Sequence, residues 1–115
     1  MKKLLLLLLL PIFLFSQNSY IVVEAQYDSW GPQESQFYIT NNNSDTILHQ
    51  VPTTPSQYFL DTVWTTAGLH TAILLDSYGD GWQTTSFAGY FRVWNHCQDT
   101  IINYICSPTN YFATE

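Results

Sequence analysis

The segment Leu74–Trp82 reads LLDSYGDGW and interleaves Asp76 and Asp80 with Gly79 and Gly81. Calcium takes six to eight oxygen ligands at about 2.3–2.6 Å, and glycine lets a short loop bend until several oxygens face one centre. A second segment, Tyr27–Phe37 (YDSWGPQESQF), places Asp28 and Glu34 beside a strand boundary. Four of the nine acidic residues therefore fall in two loops. Brought to one end of a domain, four like charges repel and their pKa values rise unless a cation neutralises them. The expected metal set is Asp28, Glu34, Asp76 and Asp80, with calcium as the cofactor. The competing reading is a plain turn, in which Gly79 and Gly81 take positive φ while Asp76 and Asp80 accept backbone amides. An EF-hand is excluded. Its third position would be Tyr78, its twelfth Phe87 in place of a bidentate Glu, and no helices flank it.

Aromatic side chains adjoin both loops. Trp30, Tyr78 and Trp82 are the candidate ligand-binding residues, because exposed rings stack on sugars; the opposing reading places tryptophan in the core. Catalytic motifs are missing from the sequence: it has no G-x-S-x-G, no H-E-x-x-H and no P-loop. Asp76 and Asp80 could meet the carboxylate spacing of a glycosidase, but so could most acids on one loop. A non-enzyme is expected. His49, His70 and His96 read as strand residues and not as ligands. Cys97 and Cys106 are expected to form a disulfide in an exported chain, closing a short loop worth about 2–3 kcal/mol. Zinc is the weaker rival, since the adjacent pair His96-Cys97 is poor geometry for one ion.

The ends and the charge set the compartment. Residues 1–16 combine Lys2 and Lys3 with an apolar run from Leu4 to Phe15, which is the pattern of a cleaved secretory signal peptide. That run is shorter than the roughly 20 residues a membrane-spanning helix needs. The remainder, residues 17–115, carries Arg92 as its only Lys or Arg against nine acidic residues, a formal charge of −8. So acidic a chain is unsuited to nucleic acid or to an anionic membrane surface, and suited to capturing cations. It is expected to be secreted, periplasmic or on the cell surface, with no membrane insertion after cleavage.

The elements that must hold the loops are strands. Ser19–Tyr27 alternates Ile21, Val23, Ala25 and Tyr27 with polar residues, the period-two pattern of a strand buried on one face. Further strands are expected over residues 35–40, 46–51, 58–65, 69–75, 87–94 and 100–105. The cluster NNNSD at residues 41–45 turns the first hairpin. No helical period and no internal repeat stand out. About seven short strands predict an all-β, antiparallel two-sheet sandwich of jelly-roll or Greek-key type as a single domain over residues 17–115; a small barrel is the alternative.

The chain also resembles a group of small secreted β-modules found in extracellular and cell-surface proteins. The early segment of that resemblance is Asp28, Pro32, Glu34, Ser35 and Phe37. The later block runs through Gly68, His70, Thr71, Leu74, Asp76, Ser77, Tyr78, Gly79, Asp80, Gly81 and Trp82, followed by Gly89-Tyr90-Phe91. Members often carry a cysteine before the aromatic of the strand led by Gly68, where this chain has Leu69, so no disulfide bracing the loop is implied. Bacterial members commonly add a C-terminal sorting domain for type IX secretion, which these 115 residues do not include. The resemblance implies a secreted accessory or adhesive module, often joined to other domains. Glycans or cell-surface proteins are the expected partners. The resulting expectation is a non-enzymatic binding or adhesion module with a structural cation site. A carbohydrate-binding module is the first alternative, and a ligand-free structural domain of a larger surface protein the second.

Overall fold

A computed structural model describes residues 19–105. The signal peptide expected over residues 1–16 and the cysteine Cys106 lie outside these residues. In chain order the elements are β1 (Ser19–Gln26), α1 (Gly31–Glu34), β2 (Ser35–Thr40), β3 (Thr46–Gln50), β4 (Tyr58–Thr65), β5 (Thr71–Asp76), β6 (Gln83–Thr84), β7 (Phe87–Ala88), β8 (Tyr90–Asn95) and β9 (Thr100–Ile105). The architecture is an all-β sandwich of antiparallel strands. One sheet has the order β4-β1-β8-β9 and the other β3-β2-β5, while β6 and β7 form a separate short hairpin.

Nine strands replace the expected seven. One extra strand is β6, in a stretch with no expected strand; the other arises because the run 87–94 splits at Gly89. There the backbone turns in to donate from the Gly89 amide to the Trp82 carbonyl at 2.7 Å. A Cβ on residue 89 would sit 2.3 Å from that oxygen and 2.6 Å from the Gln26 carbonyl, so only glycine fits. A second departure is α1, a single helical turn where no helix is expected. Pro32 stands in its first turn, where a missing N–H costs nothing.

Period-two alternation builds the core. Val23 and Ala25 of β1, Phe37 and Ile39 of β2, and Phe91 and Val93 of β8 point inward and are buried. Tyr27 and Trp82 complete this cluster from the loops. Phe37 meets Phe91 edge-on at 4.9 Å between ring centres, and Tyr27 meets Trp82 at 4.6 Å. Burying a tryptophan removes about 200 Å² from water, worth about 5 kcal/mol at about 25 cal/mol/Å².

Asparagines organise the turns of the β2–β3 and β8–β9 hairpins. The Asn41 Oδ1 accepts the amides of Asn43 and Asp45, and the Asn95 Oδ1 accepts those of Cys97 and Asp99. The left-handed residue in each turn is Ser44 (φ 64°) or Gln98 (φ 66°), and not an asparagine. Cys97 is therefore exposed at a hairpin tip.

Sheet order decides where the loops go. β1 lies in one sheet and β2 in the other, so the acidic segment after Tyr27 spans the sandwich. β2 then pairs with β5 in a register that sets Ser35 opposite Asp76. The Ser77 amide extends that ladder, donating to the Glu34 carbonyl at 2.9 Å. The start of β2 and the end of β5 thus bring both acidic segments to one end of the molecule.

Candidate metal centre

Carboxylate oxygens of Glu34, Asp76 and Asp80 all lie within 4.8 Å of one another. Ligands of one calcium ion at 2.3–2.6 Å are separated by at most about 5.2 Å, so the three oxygens fall within the spacing of ligands that share one ion. Glu34 ends α1, Asp76 ends β5, and Asp80 sits in the loop that follows. Asp28 is not part of this triad, but it is fully buried and its charge acts on Glu34.

Two of the four acids are also anchored to backbone. The Asp76 Oδ1 accepts the Tyr78 amide at 3.1 Å, and its Oδ2 accepts the Gly81 amide. Gly79 (φ 86°) and Gly81 (φ 77°) adopt the left-handed backbone that the turn reading requires. The Asp28 Oδ1 accepts the Trp30 amide at 2.9 Å. These are Asx turns, and they leave lone pairs free, since an ionised carboxylate offers about four acceptor sites. The turn chemistry and the convergence of charge coexist.

Several polar atoms in these segments are buried without a hydrogen-bond partner in the protein: Asp28 Oδ2, Asp80 Oδ1 and Ser35 Oγ. Leaving such a group unsatisfied costs about 1–3 kcal/mol, and more when it is charged. Electrostatics point the same way. Burial first, then the charges of Asp76, Asp28 and Asp80, push the Glu34 carboxyl up to about 7. Burial and then the Asp76 charge raise Asp80. Burial also raises Asp28, with Asp80 and Asp76 adding to it and the Trp30 hydrogen bond opposing it.

Among the described residues, no countercharge faces the cluster. Arg92 is the one Lys or Arg among the described residues. It stands 3.6 Å from the Glu24 carboxylate on β1 and over the Tyr90 ring, on the outer face of the four-stranded sheet. His49 and His70 are engaged elsewhere. His70 donates from Nδ1 to the Gly68 carbonyl at 2.9 Å and bonds the Thr65 hydroxyl through Nε2. His49 stacks on Tyr38 and bonds Gln36.

A cleft of about 370 Å³ opens onto the cluster, lined by Trp30, Glu34, Tyr78 and Asp80. A cleft of similar size, about 390 Å³, lies on the outer sheet face between Tyr20, Val22 and Trp94 and contains no carboxylate. Chemistry, and not size, distinguishes the first. Of the three aromatic residues expected beside the loops, Trp30 is 59% exposed and Tyr78 79% exposed. Trp82 is corrected: it is fully buried, and its indole Nε1 donates to the Leu75 carbonyl at 3.2 Å. The positive φ of Gly81 accompanies its turn inward, so its ring packs with Tyr27 and offers no face to a ligand.

Ser35 is the residue that sequence reasoning left out of the site. Its signal was its place at the start of β2, directly after Glu34. A second overlooked signal is the echo between Asp28-Ser29-Trp30-Gly31 and Asp76-Ser77-Tyr78-Gly79. Both form the same Asx turn and both present an aromatic ring at the cleft.

Comparison with protein-family models, curated proteins and solved structures finds no match to this chain.

Proposed function

We propose that this chain is a secreted, non-enzymatic binding or adhesion module whose acidic loops hold a structural divalent cation, calcium by ligand chemistry. The supporting observation is the convergence of Glu34, Asp76 and Asp80 oxygens within 4.8 Å, next to the buried and unpartnered Oδ2 of Asp28. All donors are hard oxygens, which suit calcium over the softer metals that imidazole and thiolate select. The ion's role is to tie the loop after β1 to the loop after β5. Those loops come from opposite sheets, so the cation acts as a clamp across one end of the sandwich.

Titration calorimetry of the purified chain with calcium chloride tests the reading. Binding heat near one ion per chain, with a melting temperature that calcium raises and EDTA lowers, is the expected result. Absence of heat, together with a melting temperature indifferent to calcium and to EDTA, would leave the ligand-free structural domain as the correct reading.

A further inference from the structure

We infer that the cation is also a recognition element: a glycan docks in the cleft by placing two vicinal hydroxyls on the bound calcium while its apolar ring face stacks on Trp30 and Tyr78. This rests on the cation reading above and names the ligand class of the same site.

The coordination count comes first. Glu34, Asp76 and Asp80 supply three oxygens, and the buried, unpartnered Asp28 Oδ2 and Ser35 Oγ supply at most two more. Calcium takes six to eight, so at least about one to three positions remain for groups from outside the chain. Glu34 and Asp80 are half-buried and line the cleft, which turns the open side of the ion toward it. Neutral hydroxyl oxygens suit these positions, and adjacent sugar hydroxyls can fill two at once.

The rings supply the second half. Trp30 and Tyr78 line the same cleft as Glu34 and Asp80 and are among the most exposed large side chains in the molecule. Both are held at the backbone by a buried aspartate two residues earlier. Exposed aromatic rings on anchored loops lose little entropy when a flat ligand stacks on them. Because two of the glycan's hydroxyls sit on the ion itself, recognition depends on calcium.

A printed array of mannosides, galactosides and fucosides, probed with the intact chain in excess calcium and in excess EDTA, tests this. Retention on at least one glycan in calcium, abolished by EDTA, is expected. The double variant Trp30→Ala/Tyr78→Ala keeps both aspartate-held amides; it should retain the calcium-dependent rise in melting temperature while glycan binding falls at least about tenfold. Glu34→Gln/Asp80→Asn should lose both. Retention that survives EDTA, or no retention in calcium by a chain whose melting temperature still rises with calcium, overturns the glycan proposal and leaves the cation clamp standing. A melting temperature unmoved by calcium overturns both.

Discussion

Asp28 and Asp76 are the same device used twice. Each is fully buried, and the Oδ1 of each accepts the backbone N–H of an exposed aromatic two residues on, Trp30 at 2.9 Å and Tyr78 at 3.1 Å. The two copies come from segments 48 positions apart in the chain and meet because β2 pairs with β5. Asp28 serves its turn with one oxygen and Asp76 serves its own with both, while each adds negative charge to the common pocket. This double duty separates the effects of the acids on folding from their effects on the cation.

Asp76 and Asp80 should respond differently to neutralisation. Asp76→Asn removes an acceptor from one of two backbone amides, the half-buried one of Tyr78 or the buried one of Gly81. It should cost about 1–3 kcal/mol in EDTA as well as in calcium. Asp80→Asn keeps those turns and relieves repulsion. Its melting temperature in EDTA should equal or exceed that of the parent, while calcium affinity falls at least about tenfold. Thermal melts of both variants, with and without calcium, check this. Equal losses in EDTA would contradict the separation.

The pH dependence has opposite signs in the two states. Glu34, pushed up to about 7 by burial and then by its acidic neighbours, keeps a proton when folded that the unfolded chain has released above its ordinary value of 4.5. The folded state thus binds more protons between those values, and metal-free stability should fall as pH rises through that window. Asp28 and Asp80 are raised as well and add in the same direction. Calcium must displace these protons, so its affinity should climb with pH, by about tenfold per unit for each proton released. Melting curves in EDTA and calorimetry with calcium, both taken between about pH 5 and about pH 8, measure the two trends. A metal-free stability that rises across this range would refute the crowding of the acids.

Two glycines offer a steric contrast. Gly89→Ala would drive a methyl group into the backbone oxygens of Trp82 and Gln26. Backbone cannot step aside as a side chain can, so a loss above about 3 kcal/mol is expected. Gly79 has open space around it but a φ of 86°, so Gly79→Ala should cost only about 1–2 kcal/mol from left-handed strain. Urea unfolding of the two variants would rank them, and comparable losses would contradict the close approach at Gly89.

Tryptophan substitutions check that Trp82 belongs to the core and Trp30 does not. Trp82→Ala opens a cavity among Tyr27, Phe37 and Phe91 and should cost about 3–5 kcal/mol. Trp30→Ala, at an exposed loop position, should stay within about 0.5 kcal/mol. Tryptophan fluorescence during urea unfolding reports both. A mild Trp82 variant would mean that its ring is not part of the core.

Much of this architecture is visible in the residues alone. Alternation along Ile21–Tyr27 and Phe37–Ile39 marks strands and their inward faces, because each side chain's preference for water or core is local and a strand reverses direction at every residue. The two acidic segments and the glycines between Asp76 and Trp82 are legible for the same reason: turn chemistry and ligand type are properties of single residues. The gathering of the acids is not. It follows from Ser35 facing Asp76 across β2 and β5, and a period-two pattern fits many partners and registers equally well. Trp82 shows the limit most plainly. Beside Asp80 and Gly81 its sequence surroundings suggest a surface ring, but only the assembled sandwich leaves a space beneath the loop that an indole fills. Sequence by itself determined what each segment is made to do; the packing of segments far apart in the chain decided which of them do it together.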